Sequence, residues 1–304
     1  MEPSKPRGRT ALLATVTVMG TGTLWGLYWL PVRRLAEIGL PGAWGTLVIV
    51  LAGTLLLGPL AVLRRRRFSR ADPAGIASVA LGGVAFMLYS VGFAYGRVAI
   101  VILLFFLTPV WSTLIARYGM GWSTPRLRMA AIAVGIAGLA VMLGADGQIP
   151  VPRRSGEWLA LLSGIFWSVA TTGMRTRSNL APAEAAFVFA AGASLGALAL
   201  APFLAPWPFQ AGAVQVGRII GWAVTAGGIW WALSMAGLMW AAPRLEPARV
   251  GILLMAEVIV GTVSAALIVN ELISALEVIG GTLVLLAGVL EVWPIKGSGT
   301  SGAA

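Results

Sequence analysis

The stretch GILLMAEVIVGTVSAALIV, residues 251–269, carries one ionisable side chain, Glu257, near the middle of an otherwise uncharged run. In a soluble helix such a Glu simply turns outward to water, so its meaning depends on whether the run lies in water or in lipid. The rest of the 304-residue chain answers that. Hydrophobic residues make up 58% of it, charged residues 11%, and the mean hydropathy is +0.88, whereas an ordinary globular domain is about one-quarter charged. The chain reads as an integral membrane protein, and Glu257 as a carboxyl group inside the bilayer.

A hydrocarbon core about 30 Å thick needs roughly 20 apolar residues per helical crossing. Runs of that length recur along the whole chain, and their pattern predicts ten spans: 11–31, 43–63, 74–96, 98–116, 127–144, 158–174, 184–204, 217–241, 247–269 and 275–293. The runs are continuously apolar and rich in Gly, Ala and Leu, unlike the short alternating strands of a barrel, so the fold class is an all-α polytopic membrane protein. No segment is left for a soluble domain.

The formal charge of +11 would suggest nucleic acid in a soluble protein; in a membrane protein its distribution matters more. With the N-terminus in the cytoplasm, the outward-facing segments hold Arg33, Arg34, Arg97, Arg153, Arg154 and Arg218, and the remaining sixteen of the 22 Lys and Arg face inward. The positive-inside rule therefore puts both termini in the cytoplasm, and the expected location of this helical polytopic protein is the cell's inner (cytoplasmic) membrane. The run LRRRRFSR at 63–70 reads as a topology anchor beside anionic lipid, so membrane lipid is an expected partner and nucleic acid is not. The basic N-terminus MEPSKPRGRT precedes an apolar run longer than a signal-peptide core and without an A-x-A site, and that run is kept as span one.

The chain also repeats itself. At an offset of about 149 to 150 residues, Pro109 falls beside Val258, and VGIAGLAVML at 134–143 beside VLLAGVLEVW at 284–293. LWGLYWLPVRR at 24–34 and IFWSVATTGMR at 165–175 are likewise both aromatic segments ending in Arg. Two halves of five helices follow, 1–150 and 151–295, with a flexible tail at 296–304. Because five is odd, the second half enters the membrane inverted, an arrangement that can exchange inward- and outward-open shapes around a midplane site. Duplication could also have served only to build a stable scaffold.

Span nine into ten, with Glu257, Glu271 fourteen residues later and the Gly-rich IGGTLVLLAGVL at 279–290, resembles the ten-helix EamA-type branch of the drug/metabolite transporter superfamily. Many members have Pro after the first Glu; here Val258 stands there, while the first half keeps Pro109 in LTPVW and has Thr108 where the Glu would fall. The resemblance implies a secondary transporter with a central cavity between the halves. Within the family, Tyr89, Phe106, Thr108 and Trp167 are similar to cavity-facing positions of YddG-type exporters of aromatic and other neutral amino acids. Those exporters usually carry larger aromatic or polar groups near Thr108. Export of amino acids, aromatic ones included, is the implied function; export of drugs, nucleobases or sugars, or channel-like facilitation, are the alternatives.

An ionised Glu at mid-bilayer is costly, so Glu257 should face the bundle interior or a wet cavity. There it either binds a substrate ammonium group, carries a coupling proton, or hydrogen-bonds neighbouring helices as structural glue. Deep Tyr and Trp need hydrogen-bond partners, and Trp25, Tyr28, Tyr89, Phe106, Thr108, Trp167 and Trp230 are expected, with Glu257, to line an aromatic substrate cavity; core packing is the alternative for each. Trp158, Trp207 and Trp293 fit an interfacial belt. Pro109 frees a backbone carbonyl in mid-span and is a candidate hinge, and Glu271 a helix-end or gate contact. Spans five and ten, nearly without polar interior residues, should buttress the bundle rather than line the path. Asp146 and Glu157 are expected in a loop, and Glu184, Glu277 and Glu291 receive no role.

Other classes find little support. The chain has no Cys and no His, which removes thiol chemistry, disulfides and the commonest metal ligands. It has no Walker motif and no clustered acidic pair on neighbouring spans, so neither an enzyme nor a cofactor is expected. A small bundle with one pathway can work as a monomer with a small-molecule substrate.

Overall fold

The computed structural model describes residues 8–63, 71–121, 126–145, 147, 149–206, 212–245 and 247–292, and every regular element among them is helical. The arginines at 64–67 and 70, Asp146, Trp207, Trp293, the Thr-Pro pair at 124–125, Glu246 and the 296–304 tail lie outside the described residues. Span one is Gly8–Gly26 continued by Trp29–Glu37, span two Ala43–Leu63 and span three Pro73–Tyr95. Span four is Val98–Phe105, then Thr108–Leu114, ending in a π-helical turn Ile115–Gly119. Spans five, six and seven are Arg126–Leu143, Ser155–Arg177 and Pro182–Leu204. Span eight runs through Ala213–Ala226, a π-helical segment Gly227–Ser234 and Met235–Ala241. Span nine is Pro247–Leu254 and Ala256–Val269, and span ten Ala275–Val292.

The protein is an all-helical polytopic membrane protein. Seven of the spans are long and apolar enough to cross a bilayer, and spans five and ten contain shorter apolar helices. Span six is 23 residues long but carries Glu157, Arg175, Arg177 and several hydroxyls. The exterior, unlike that of a protein in water, is apolar: Leu55, Leu63, Leu195, Phe203 and Leu267 are exposed, while Glu157, Glu257 and Glu277 are buried with the apolar core. Such an apolar exterior is stable only against lipid.

Two expectations about boundaries change. Span one extends to Glu37, so Arg33 and Arg34 sit on its last helical turns rather than in a loop. Glu157 is not in a loop: it lies in the first turn of span six, where its Oε2 accepts the backbone N–H groups of the N-cap Arg154 at 3.4 Å and of Arg153 at 2.8 Å, the N3 acid of a capping box.

The neighbours of each span repeat when every span is exchanged with the one five places on. Span three packs along six as eight packs along one, seven along three as two along eight, and one against nine as six against four; two packs on seven, four on nine and five on ten. The pattern is the one expected of two five-helix units built alike. Spans five and ten meet through glycines: a Cβ on Gly138 would lie 2.7 Å from the Gly280 carbonyl oxygen, and one on Gly280 would lie 2.6 Å from that of Gly138. Spans one and nine meet the same way, through Gly22 and Gly26 of a small-xxx-small pair, because in lipid close backbone packing supplies the attraction that water supplies elsewhere.

Candidate substrate cavity

Three spans break at the depth where the two units meet, and two breaks follow directly from proline. Pro31 cannot donate to the Leu27 carbonyl, which instead accepts from Leu30 N at 3.1 Å, and span one is interrupted at Leu27–Tyr28. Pro109 cannot donate to the Phe105 carbonyl; the Thr108 hydroxyl donates to it at 2.6 Å, and span four is interrupted at Phe106–Leu107. Both losses are the expected result of a missing proline N–H. The third break was not legible. The run 251–269 is not one helix with Glu257 near its middle; it is interrupted at Met255, with no proline, and Glu257 lies in the first turn of its second half. A carboxylate there faces the positive end of the half-helix. The break lies where the backbone of span one comes closest, a Cβ on Gly22 falling 3.1 Å from the Leu254 carbonyl oxygen.

These breaks surround a cavity of about 230 Å³, slightly below the roughly 300–1,000 Å³ of drug-sized pockets. Trp25, Phe106, Thr108, Trp167 and Glu257, all singled out from sequence, line it together with Pro109. Its aromatic wall is built around Phe86, whose ring centroid lies 4.9 Å from those of Trp25 and Trp167 and 5.5 Å from that of Phe105. Toward the end holding the chain termini, the lining becomes Met235, Met239, Met255 and Leu254, soft side chains that fit varied shapes. Neither Phe86 nor these methionines was picked out from sequence, since nothing one-dimensional separates them from lipid-facing apolar residues. Span ten contributes Val284 and Gly288, which corrects the expectation that it only buttresses; span five contributes nothing.

Glu257 is the one ionisable residue in the wall among the described residues. Tyr89 Oη donates to its Oε1 at 2.6 Å, while Oε2 accepts no hydrogen bond from the described residues. Three residues expected on the wall stand behind it. Tyr89 is fully buried in the layer that supports Glu257. Tyr28, also fully buried, accepts from Trp231 Nε1 at 2.9 Å and from Ser90 Oγ at 3.1 Å. Trp230 Nε1 donates at 2.6 Å to the Leu24 carbonyl beside the break in span one. The reason is common to the three: a polar aromatic tip deep in the bilayer needs a partner, and the partners are in the packed interior. The π-helical turn of span eight, a feature often found at functional sites, is what brings both Trp230 and Trp231 onto the broken part of span one.

The opposite end is sealed by charge. Span nine ends at Asn270, left-handed with φ 51°, and the turn carries Glu271 inward. There Glu271 Oε1 meets Arg33 at 2.7 Å and Oε2 accepts the Val98 backbone N–H at 2.9 Å, joining the ends of spans one, four and nine. Arg33 also donates to the carbonyls of Phe93 and Gly96. Glu277, given no role from sequence, pairs with Arg97 and accepts from Ser274 N at 2.8 Å; its partner 180 positions away is invisible to any local pattern.

Residues 12–144, spans one to five, match the EamA-like transporter family. No curated protein matches the chain. Among solved structures, one crystal structure aligns over 94% of this chain and 99% of its own at a TM-score of 0.58, with 18% sequence identity, a likeness of fold.

Proposed function

We propose, from the EamA-like transporter domain formed by residues 12–144, that this chain is a secondary transporter that moves small metabolites by alternating access. The observation that carries the reading is a dead-end cavity. It is built by spans of both halves, lined from mid-membrane to one end, and closed at the other end by the Arg33–Glu271 and Arg97–Glu277 pairs. A channel needs a continuous path; a carrier needs one closed gate at a time. With the positive-inside assignment, the lined end faces the cytoplasm of an inner-membrane protein with both termini inside, and the cavity is the inward-facing state. The inverted units 1–150 and 151–295 would rock about the interruptions in spans one, four and nine, with Pro109 as a hinge and Glu271 as part of the outer gate. The aromatic wall and Glu257 support a substrate with an apolar body and an amine, and amino-acid export is the reading that the YddG-like positions favour. A monomer is the proposed working unit.

Counterflow in proteoliposomes tests the function: vesicles loaded with unlabelled Phe, Trp, Tyr, Met, Thr, a nucleobase or a sugar are scored for uptake of the labelled counterpart. Saturable, trans-stimulated uptake with the amino acids supports the exporter reading. Uptake with the nucleobase or sugar alone would replace it, and non-saturating flux would make the protein a channel.

The gate is testable because the chain has no cysteine of its own. Phe93→Cys places a thiol between the cavity and the ion pairs, beside Tyr89 at a ring distance of 4.7 Å. Adding Glu271→Gln is expected to raise its labelling by a membrane-impermeant reagent from the outer side, and adding Pro109→Ala to slow the interconversion that exposes it. Unchanged labelling in both would reduce Glu271 to a helix-end contact and Pro109 to a bend.

A further inference from the structure

We infer that the cavity selects a small organic monocation, an amine with an apolar or aromatic body and no carboxylate, over a zwitterion of the same shape. The inference rests on the carrier reading of the cavity and departs from the amino-acid reading of its substrate, since amino acids are zwitterions at neutral pH.

Among the described residues the wall carries one negative group and no positive one: Glu257 is the sole ionisable residue of the described lining, and no described Lys or Arg joins it. Arg33 and Arg97 lie at the sealed end, engaged by Glu271 and Glu277 and separated from the cavity by the buried layer of Tyr89 and Phe93. A substrate ammonium is well served: Glu257 Oε2 is left open by the described residues while Tyr89 holds Oε1, and the faces of Trp25, Phe86 and Trp167 offer the electron-rich surface that attracts cations.

A substrate carboxylate has no such place. The positive end of the half-helix Ala256–Val269 is already answered by Glu257 in its own first turn. The other donors of the wall are spent within the protein: the Thr108 hydroxyl on the Phe105 carbonyl, and the Trp25 indole on Ser234 Oγ at 2.9 Å. The Thr21 hydroxyl and the Trp167 indole remain, both neutral, to replace the hydration of an anion. In a space of about 230 Å³ that anion would also sit close to Glu257, and like charges in an apolar enclosure repel strongly.

A matched series tests this on the purified wild-type protein, with binding read by quenching of intrinsic tryptophan fluorescence and exchange by counterflow in proteoliposomes. Phenethylamine and phenylalanine differ by the carboxylate alone, phenylalanine methyl ester keeps the backbone without the negative charge, and 3-phenylpropionate keeps the negative charge without the amine. Phenethylamine and the ester are expected to bind at least about tenfold more tightly than phenylalanine, and 3-phenylpropionate not to bind. Glu257→Gln should reduce binding of both cations toward that of phenylalanine. Phenylalanine binding as tightly as phenethylamine, or phenethylamine failing to bind, overturns the inference. The two readings fail separately: equal exchange of phenylalanine and phenethylamine leaves a carrier without cation selectivity, whereas tight cation binding with no exchange of any compound leaves the selectivity and removes the transport. The series needs no variant, so a Glu257→Gln protein that failed to fold would not weaken it.

Discussion

Glu257→Gln is expected to remove transport while leaving the protein folded. The substitution keeps the shape of the side chain and an oxygen that can still accept from Tyr89, so interhelical glue of the neutral kind survives. What it removes is the only ionisable group that the described residues bring to the cavity wall. A hydrogen bond to a charged group contributes about 1.5–3 kcal/mol, and at about 1.4 kcal/mol per decade an amine-bearing substrate should bind at least about tenfold less tightly. Tyr89→Phe separates the two roles of the carboxyl group. It leaves the charge but strips Oε1 of its buried partner, a loss of about 1–3 kcal/mol, and is expected to lower thermal stability while only weakening counterflow. If Glu257→Gln transports normally at every pH and Tyr89→Phe unfolds the protein, Glu257 is structural and the substrate is held by the aromatic wall alone.

The second large effect is expected where span one touches span nine. A Cβ on Gly26 would lie 2.7 Å from the Glu257 carbonyl oxygen, 2.9 Å from Gly261 N and 2.9 Å from Val260 Cβ. Two of those atoms are backbone and cannot turn aside, so even Ala forces the half-helix carrying Glu257 away from span one. Overpacking of this kind costs about 1–3 kcal/mol per site, and Gly26→Leu should exceed it and abolish both folded yield in detergent and transport. Gly20, one and a half turns earlier on the same helix, has nothing within 4 Å of its Cβ position; Gly20→Ala is the matched control and should leave stability unchanged or slightly raised through its better helix propensity. Equal behaviour of Gly26→Ala and Gly20→Ala, measured by thermal aggregation in detergent, would show that spans one and nine are not in the contact described.

The same contact shows why parts of the site were legible and others were not. Gly22 and Gly26 form a spacing visible in the sequence, yet the chain has 39 glycines and many such spacings; only the approach of a particular neighbour makes this pair matter. Pro31 and Pro109 announce their breaks because a missing N–H acts within four residues. The break at Met255 has no proline and went unseen, its setting being the approach of a helix more than 220 residues earlier in the chain. Trp25, Phe106, Thr108 and Trp167 were placed on the wall, while Tyr28, Tyr89 and Trp230, equally deep and equally aromatic, stand behind it. Depth can be counted along a run, but the direction a side chain faces depends on how its helix is rotated about its axis, and an apolar run surrounded on all sides by lipid or protein leaves that rotation unmarked.

The sequence by itself determined the membrane class, the all-helical fold and the approximate position of the spans. Each of these follows from a quantity that accumulates along the chain, apolar length against bilayer thickness. Only the tertiary structure decided that Glu257 opens a half-helix and takes Tyr89 as its partner, that Glu277 pairs with Arg97 at the far end, and that the cavity holds a carboxylate with no cation beside it among the described residues. Those facts belong to pairs of residues 168 and 180 positions apart and to the faces that packed helices turn toward one another, where close contact rather than composition sets which groups meet.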